Sequence, residues 1–218
     1  MPIVVADKLM GISSEHVMGK DVVFVDFQED HADDVFGSLL DVFGHFALQG
    51  GYIISLHLPE SLNRTVRAVK LVRSVALYDR MTVIEVPNSR LFAAFMTYLF
   101  ATMVQKWDDS MMISRKADKL LRQAVAYVAV RGRWRQVVMD GVHELGRRSV
   151  YECVRSEVAG GKACVVAWSG QRVSRYQQLL DMLKKTYGEK YQSVRFDAPC
   201  GFPYTRSDYL EIFFYPKV

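Results

Sequence analysis

The stretch that most constrains this chain is residues 91–104, LFAAFMTYLFATMV, in which only Thr97 and Thr102 are neither apolar nor aromatic. Leu91, Phe95, Tyr98, Leu99 and Met103 share one face at helical spacing, while Phe92, Met96, Phe100 and Val104 occupy the others. A helix that is apolar all round is either buried in a core or crosses a membrane. A span needs roughly 20 apolar residues. This run has 14, closed by Arg90 on one side and Gln105-Lys106 on the other. The pattern predicts a core helix, capped by Asn88 or Ser89, with Pro87 stopping the strand before it. No transmembrane segment is expected. The opening MPIVVADKLM lacks a basic start followed by a long apolar run, so no secretory signal is expected either.

A buried helix needs a sheet to cover, and the residues before it supply one. VVFVDF at 22–27 is a short β-rich run. Val35, Phe36, Leu39, Leu40, Val42, Phe43 and Phe46 then recur at helical spacing until Gly50-Gly51. YIISLHL at 52–58 is a second strand, stopped by Pro59. Ser61 is a candidate cap for a helix with Leu62, Val66, Val69, Val72 and Val75 inward and Arg64, Arg67, Lys70 and Arg73 on its other side. MTVIEV at 81–86 is a third strand. The order is β-α-β-α-β-α, with crossovers long enough for parallel pairing.

Residues 107–114, WDDSMMIS, read as a hinge. Beyond it the pattern predicts helices over 116–130 and 133–145, a half-buried strand over 149–158 and a hairpin at Ala159-Gly160-Gly161-Lys162. A return strand at 163–168, a helix from Ser169-Gly170 to Gly188, and strands at 191–196 and 208–215 complete an α+β half. The expected class is thus α/β over 1–109, followed by α+β over 110–218. At 218 residues, half of them hydrophobic, the chain has room for one large domain or two small ones.

Charge divides along the same line. Residues 1–109 carry 9 Lys/Arg against 14 Asp/Glu, and residues 110–218 carry 19 against 10. Two surfaces of opposite sign are expected. Three cysteines, Cys153, Cys164 and Cys200, lack CxxC spacing, which fits a reducing, cytoplasmic location.

Residues 20–100 resemble the STAS fold of anti-anti-sigma-type regulatory modules. The similar pieces are VVFVDF, a helix ending ALQGG, YIISLHL with LPESLNRTV, and LYDRMTVIEV leading into a helix. The resemblance implies a non-catalytic module that binds protein partners. The family's phosphorylated Ser is absent, since Asp30-His31-Ala32-Asp33-Asp34 stands in its place, so no phosphosite is carried over.

Three clusters are candidate sites. Glu29, Asp30, His31, Asp33 and Asp34 form an acidic group suited to a basic partner or a hard cation, though a helix N-terminus is the plainer reading. Ser169, Gly170, Arg172 and Arg175 stand at a strand-to-helix turn with the elements of an anion or phosphate site, or of an ordinary cap. Arg131, Arg133, Trp134 and Arg135, with Arg147, Arg148, Lys184 and Lys185, interleave an aromatic with cations, as a nucleic-acid or acidic-partner surface does. No catalytic constellation, metal-ligand spacing or cofactor motif is found. His57 ends a strand, where α/β proteins place ligands. The expectation is a protein-binding, assembly or regulatory component, non-enzymatic, that self-associates or joins a complex. The alternatives are a nucleic-acid binder and a nucleotide- or anion-binding enzyme at Ser169-Gly170.

Overall fold

The computed structural model describes residues 2–12, 17, 20–26, 35–48, 51–77, 79–106, 109–130, 132–169, 176–195 and 209–216. The chain divides into two compact units, Met1–Asp118 and Lys119–Val218.

The first unit is built on β1 (Ile3–Asp7), β2 (Val23–Val25), β3 (Ile53–His57) and β4 (Met81–Glu85), all parallel and ordered β2-β1-β3-β4. α1 (Val35–Leu48) and α2 (Thr65–Ala76) are the crossovers, and α3 (Arg90–Val104) follows β4. A parallel sheet must be covered on both faces, so its central strands are apolar throughout rather than alternating. β3 is buried at all five positions. On one face Val5, Ile53 and Met81 pack with Leu39 and Phe43 of α1 and Val69 and Val72 of α2. Alternation turns Val4, Ala6, Ile54 and Leu56 to the other face, each at most 1% exposed. α3 lies against β1 and buries most of its residues, as the apolar run requires. On this helix Thr97 Oγ1 donates to the Ala93 carbonyl at 2.9 Å, while the buried Thr102 Oγ1 has no hydrogen-bond partner among the described residues. Among the described residues no helix is long and apolar enough to cross a membrane.

β1 lies outside the strands read from the sequence. A 3-10 turn, Lys8–Met10, follows it directly. The centre of the sheet is therefore a strand the pattern misses.

The unit boundary falls inside α4 (Ser110–Leu121), which takes in residues 110–114 of the expected hinge, while 107 and 108 lie outside the described residues. Asp109 Oδ1 caps that turn, accepting from the Met111 and Met112 amides at 2.8 and 3.2 Å. The second unit holds β5 (Val125–Val130), β6 (Arg133–Val138), β7 (Gly141–Leu145), α5 (Arg147–Ala159), β8 (Ala163–Ser169), α6 (Gln177–Tyr187), β9 (Gln192–Arg195) and β10 (Tyr209–Tyr215). The sheet runs β7-β6-β5-β10-β8-β9, with only β8 and β9 parallel. Leu210, Ile212 and Phe214 of β10 meet Val150 and Val154 of α5 and Leu179 and Leu183 of α6 in one core.

The α/β then α+β class holds, but elements of the second half exchange type. Residues 125–145, expected within two helices, form an antiparallel meander whose first turn uses Gly132 at φ +83°. VAYVAV is an unbroken apolar run, buried on both faces, and such a run matches helix and strand templates alike. Residues 149–158, expected as a strand, belong to α5. Val150 and Val154 are fully buried and Val158 packs beside them, at spacing four. The expected hairpin glycines end that helix, the Gly160 amide donating to the Ser156 carbonyl at 2.9 Å.

Phe43 is wholly buried in the first core. Phe43→Ala is expected to lower the urea unfolding free energy by about 3–5 kcal/mol. Val142→Thr, on the exposed edge strand β7, should stay within about 0.5 kcal/mol.

Candidate ligand site at the carboxyl edge of the parallel sheet

β1 connects to β2 on one side, while β3 connects onward to β4 on the other. In open α/β sheets ligands bind outside the carboxyl ends of the strands at such a divergence. Here that edge is polar and buried. Asp7 ends β1 and His57 ends β3, both at 0% exposure. Asp7 Oδ1 accepts the Leu9 amide at 2.8 Å, and Oδ2 accepts Asn63 Nδ2 at 2.6 Å. His57 Nδ1 approaches the same Oδ2 at 3.3 Å. On the other side of the ring, His57 Nε2 and the Ser55 hydroxyl are hydrogen-bonded at 2.7 Å. Asn63 Oδ1 in turn accepts the Thr65 amide at 3.0 Å and opens α2. The expected cap at Ser61 is displaced by this bond, since Asn63 is already fixed to Asp7.

The next strand ends similarly. The Val86 amide donates to the His57 carbonyl at 2.7 Å, joining the two strand ends. Ser89 Oγ caps α3, accepting the Phe92 amide at 3.1 Å. Ser89, Arg90, Asn63 and Thr65 are all buried. Asn88 Oδ1 is buried with no hydrogen-bond partner among the described residues. Two helix N-termini, with no acidic residue in either first turn, therefore start from this edge. Their dipoles and a buried arginine favour negative charge. On the rim, Lys70 Nζ bridges Glu85 Oε1 at 2.6 Å and Glu60 Oε2 at 3.1 Å, and the Glu60 amide donates to Glu85 Oε2 at 2.8 Å. The hydrogen bonds that it donates to Glu85 and then Glu60 hold the Lys70 ammonium above its usual range. Burial pushes the Glu85 carboxyl up, but the bonds from Lys70 and the Glu60 amide outweigh it, leaving the group below the usual range.

Asp30, His31, Asp33, Asp34, Arg131, Gly170, Arg172 and Arg175 fall outside the described residues, as do the side chains of Ser169 and Arg147. Trp134 is buried edge-on against Tyr176, ring centroids 5.3 Å apart, so it has no free face for a base. Arg133 and Arg135 lie on a strand, and Arg135 reaches Glu144 at 3.7 Å. Arg148 pairs with Glu152 at 3.6 Å. Lys184 sits 6.0 Å over the Tyr191 ring, and Lys185 is exposed. Of the residues brought together at the edge, His57 and Ser89 are legible in the sequence. Asp7, Ser55, Asn63 and Thr65 are not, although an apolar run ending in Asp before a turn was the signal available.

The fold is that of a two-unit α/β protein with a buried polar edge at the carboxyl end of its parallel sheet. No known family pattern and no curated protein matches the sequence. Solved structures do match the fold. DegV from Bacillus subtilis, described as a fatty-acid-binding protein, aligns with a TM-score of 0.71 at 14% identity, covering 99% of both chains. A DegV family protein from Corynebacterium glutamicum aligns at 0.73 and 12% identity, covering 100% of this chain and 99% of that one. One from Thermus thermophilus, described by its fatty-acid binding, aligns at 0.72 and 12%, covering 99% of both. At such identities the likeness is one of fold.

These findings correct several expectations. The STAS resemblance over 20–100 rested on generic β-α-β crossovers, whereas the DegV-type fold accounts for the whole chain. The expected protein-binding, assembly or regulatory role, with protein partners or self-association, is overturned with it, because fold neighbours are described as binding a small amphiphile. The nucleic-acid reading falls on the same comparison and on the buried Trp134 and paired arginines. The nucleotide- or anion-binding enzyme at Ser169-Gly170 is likewise replaced.

Asp7→Ala should lower stability by about 2–4 kcal/mol in urea unfolding, since buried donors left without a partner cost about 1–3 kcal/mol each. Burial pushes the Cys164 thiol up to about 12, so it carries almost no thiolate at pH 8. A thiol-disulfide reagent at that pH should leave Cys164 unmodified in the native protein and modify it after unfolding, read by mass spectrometry.

Proposed function

We propose that this protein binds a fatty acid or a close long-chain carboxylate, with the headgroup at the carboxyl edge of the parallel sheet. The observation that carries the reading is the full-length fold likeness to proteins described as fatty-acid binders. The edge supports it chemically. A carboxylate there meets the starts of α2 and α3, the hydroxyls of Thr65 and Ser89, and the buried Arg90. A desolvated site strengthens each of these bonds relative to water. Asp7 does not repel such a ligand strongly, because Leu9, Asn63 and His57 already answer its charge. The unanswered Asn88 Oδ1 fits a site completed by a ligand, since turning that amide over presents Nδ2 as a donor there. We place this activity in a reducing, cytoplasmic setting, in keeping with free Cys153 and Cys164.

Delipidated protein should bind a fluorescent fatty acid saturably, and long-chain fatty acids should displace it. Saturating ligand should raise the unfolding temperature, by linkage. Ser89→Ala and Thr65→Val should each weaken binding by about ten- to a hundred-fold, the range for a hydrogen bond to a charged group. Absence of saturable binding by long-chain fatty acids would sink the proposal.

A further inference from the structure

The outer side of α2 has a composition that headgroup binding leaves unused. Residues 64–76, RTVRAVKLVRSVA, contain four cations and no acid, inside a half of the chain that is acidic overall. Thr65, Val66, Val69 and Val72 are buried. On the opposite side, Arg64, Arg67, Leu71 and Val75 follow one another at spacings of three and four and form a single stripe. Leu71 is 51% exposed, Val75 69%, and Leu62, just before the helix, 43%. The other two cations are engaged. Lys70 is held by Glu60 and Glu85, and Arg73 Nε donates to the Met81 carbonyl at 3.0 Å. Arg64 and Arg67 are exposed and make no ion pair among the described residues.

We propose that α2 docks the protein on an anionic lipid bilayer, Leu62, Leu71 and Val75 entering the boundary between headgroups and acyl chains while Arg64 and Arg67 meet lipid phosphates. A helix with cations and exposed aliphatics along one outer stripe binds through both terms together. Charge complementarity selects this occupant. A second copy packed α2 on α2 about a two-fold axis sets the same arginines against each other. Docking through α2 does not depend on fatty-acid binding. If both hold, a protein that carries an insoluble amphiphile also touches the phase its ligand comes from.

The test is flotation of the full chain with vesicles of phosphatidylcholine alone or mixed with phosphatidylglycerol, without added fatty acid. Binding is expected to the mixed vesicles and not to phosphatidylcholine alone. Each arginine near an anionic surface contributes roughly five-fold, so Arg64→Glu with Arg67→Glu should weaken binding by about 25-fold or more. Leu71→Ser with Val75→Ser should also weaken it, with unchanged circular dichroism. The proposal is overturned by no binding to mixed vesicles, or by equal binding of both double variants and the parent. A concentration-dependent dimer in light scattering that Leu71→Ser with Val75→Ser abolishes also overturns it, making a second copy the occupant. Vesicle binding without fatty-acid binding would leave α2 docking standing and remove the ligand reading, and the reverse result would do the opposite.

Discussion

A carboxylate taken out of water must be answered by donors, and in the first unit Asp7 sets that requirement. Its two oxygens draw in the amide after β1, the side chain before α2 and the ring at the end of β3. Three segments far apart in sequence are thereby held at one point. The site edge is organised because this charge would otherwise be prohibitively costly. Ser55, one alternation deeper on β3, closes the chain of bonds at the far nitrogen of His57. Ser55, His57 and Asp7 have the order of a catalytic triad, but all three are fully buried, so no nucleophile is presented. The array reads as a clamp.

The two sheets solve burial differently, and this governs where polar chemistry fits. In the parallel sheet both faces are taken by helices and apolar side chains, so polar groups collect at the strand ends. In the mixed sheet the meander β5-β6-β7 places charges on its outer strands, where exposed pairs such as Arg135–Glu144 contribute about 0–1 kcal/mol. The charge imbalance between halves is real but diffuse. It bears on solubility and long-range attraction rather than on a site.

Much of the first unit was legible in the sequence. Its apolar runs were bounded by clear stops, and its helices had one inward stripe. α3 was legible from length alone, because 14 apolar residues are too few to span and too many to expose. β1, at Ile3–Asp7, lay outside the strands read from the pattern. The second unit misled for another reason. VAYVAV satisfies two periodicities at once, and only pairing with β6 and β10, strands remote in sequence or itself misread, decides between them. α5 was misread although Val150, Val154 and Val158 mark a helical stripe, because Tyr151 and Cys153 fill the alternate positions of a strand. The site was half hidden because Asn63 acts through Asp7, 56 residues away, and such closure has no local signature.

β10 lies between β5 and β8 yet follows both in the chain. Until Tyr209–Tyr215 is made, the second sheet exists as two fragments, β5-β6-β7 and β8-β9, each with an open hydrogen-bonding edge. Growth from the ribosome cannot complete this sheet progressively, because the keystone arrives last. During that interval the edges of β5 and β8, flanked by apolar side chains, are templates for mispairing. Insertion of one strand forms thirteen residue pairings at once, six to β5 and seven to β8. The unit is thus committed to a late, all-or-none closure, and nicks or stalls just before Tyr209 are its most damaging interruptions.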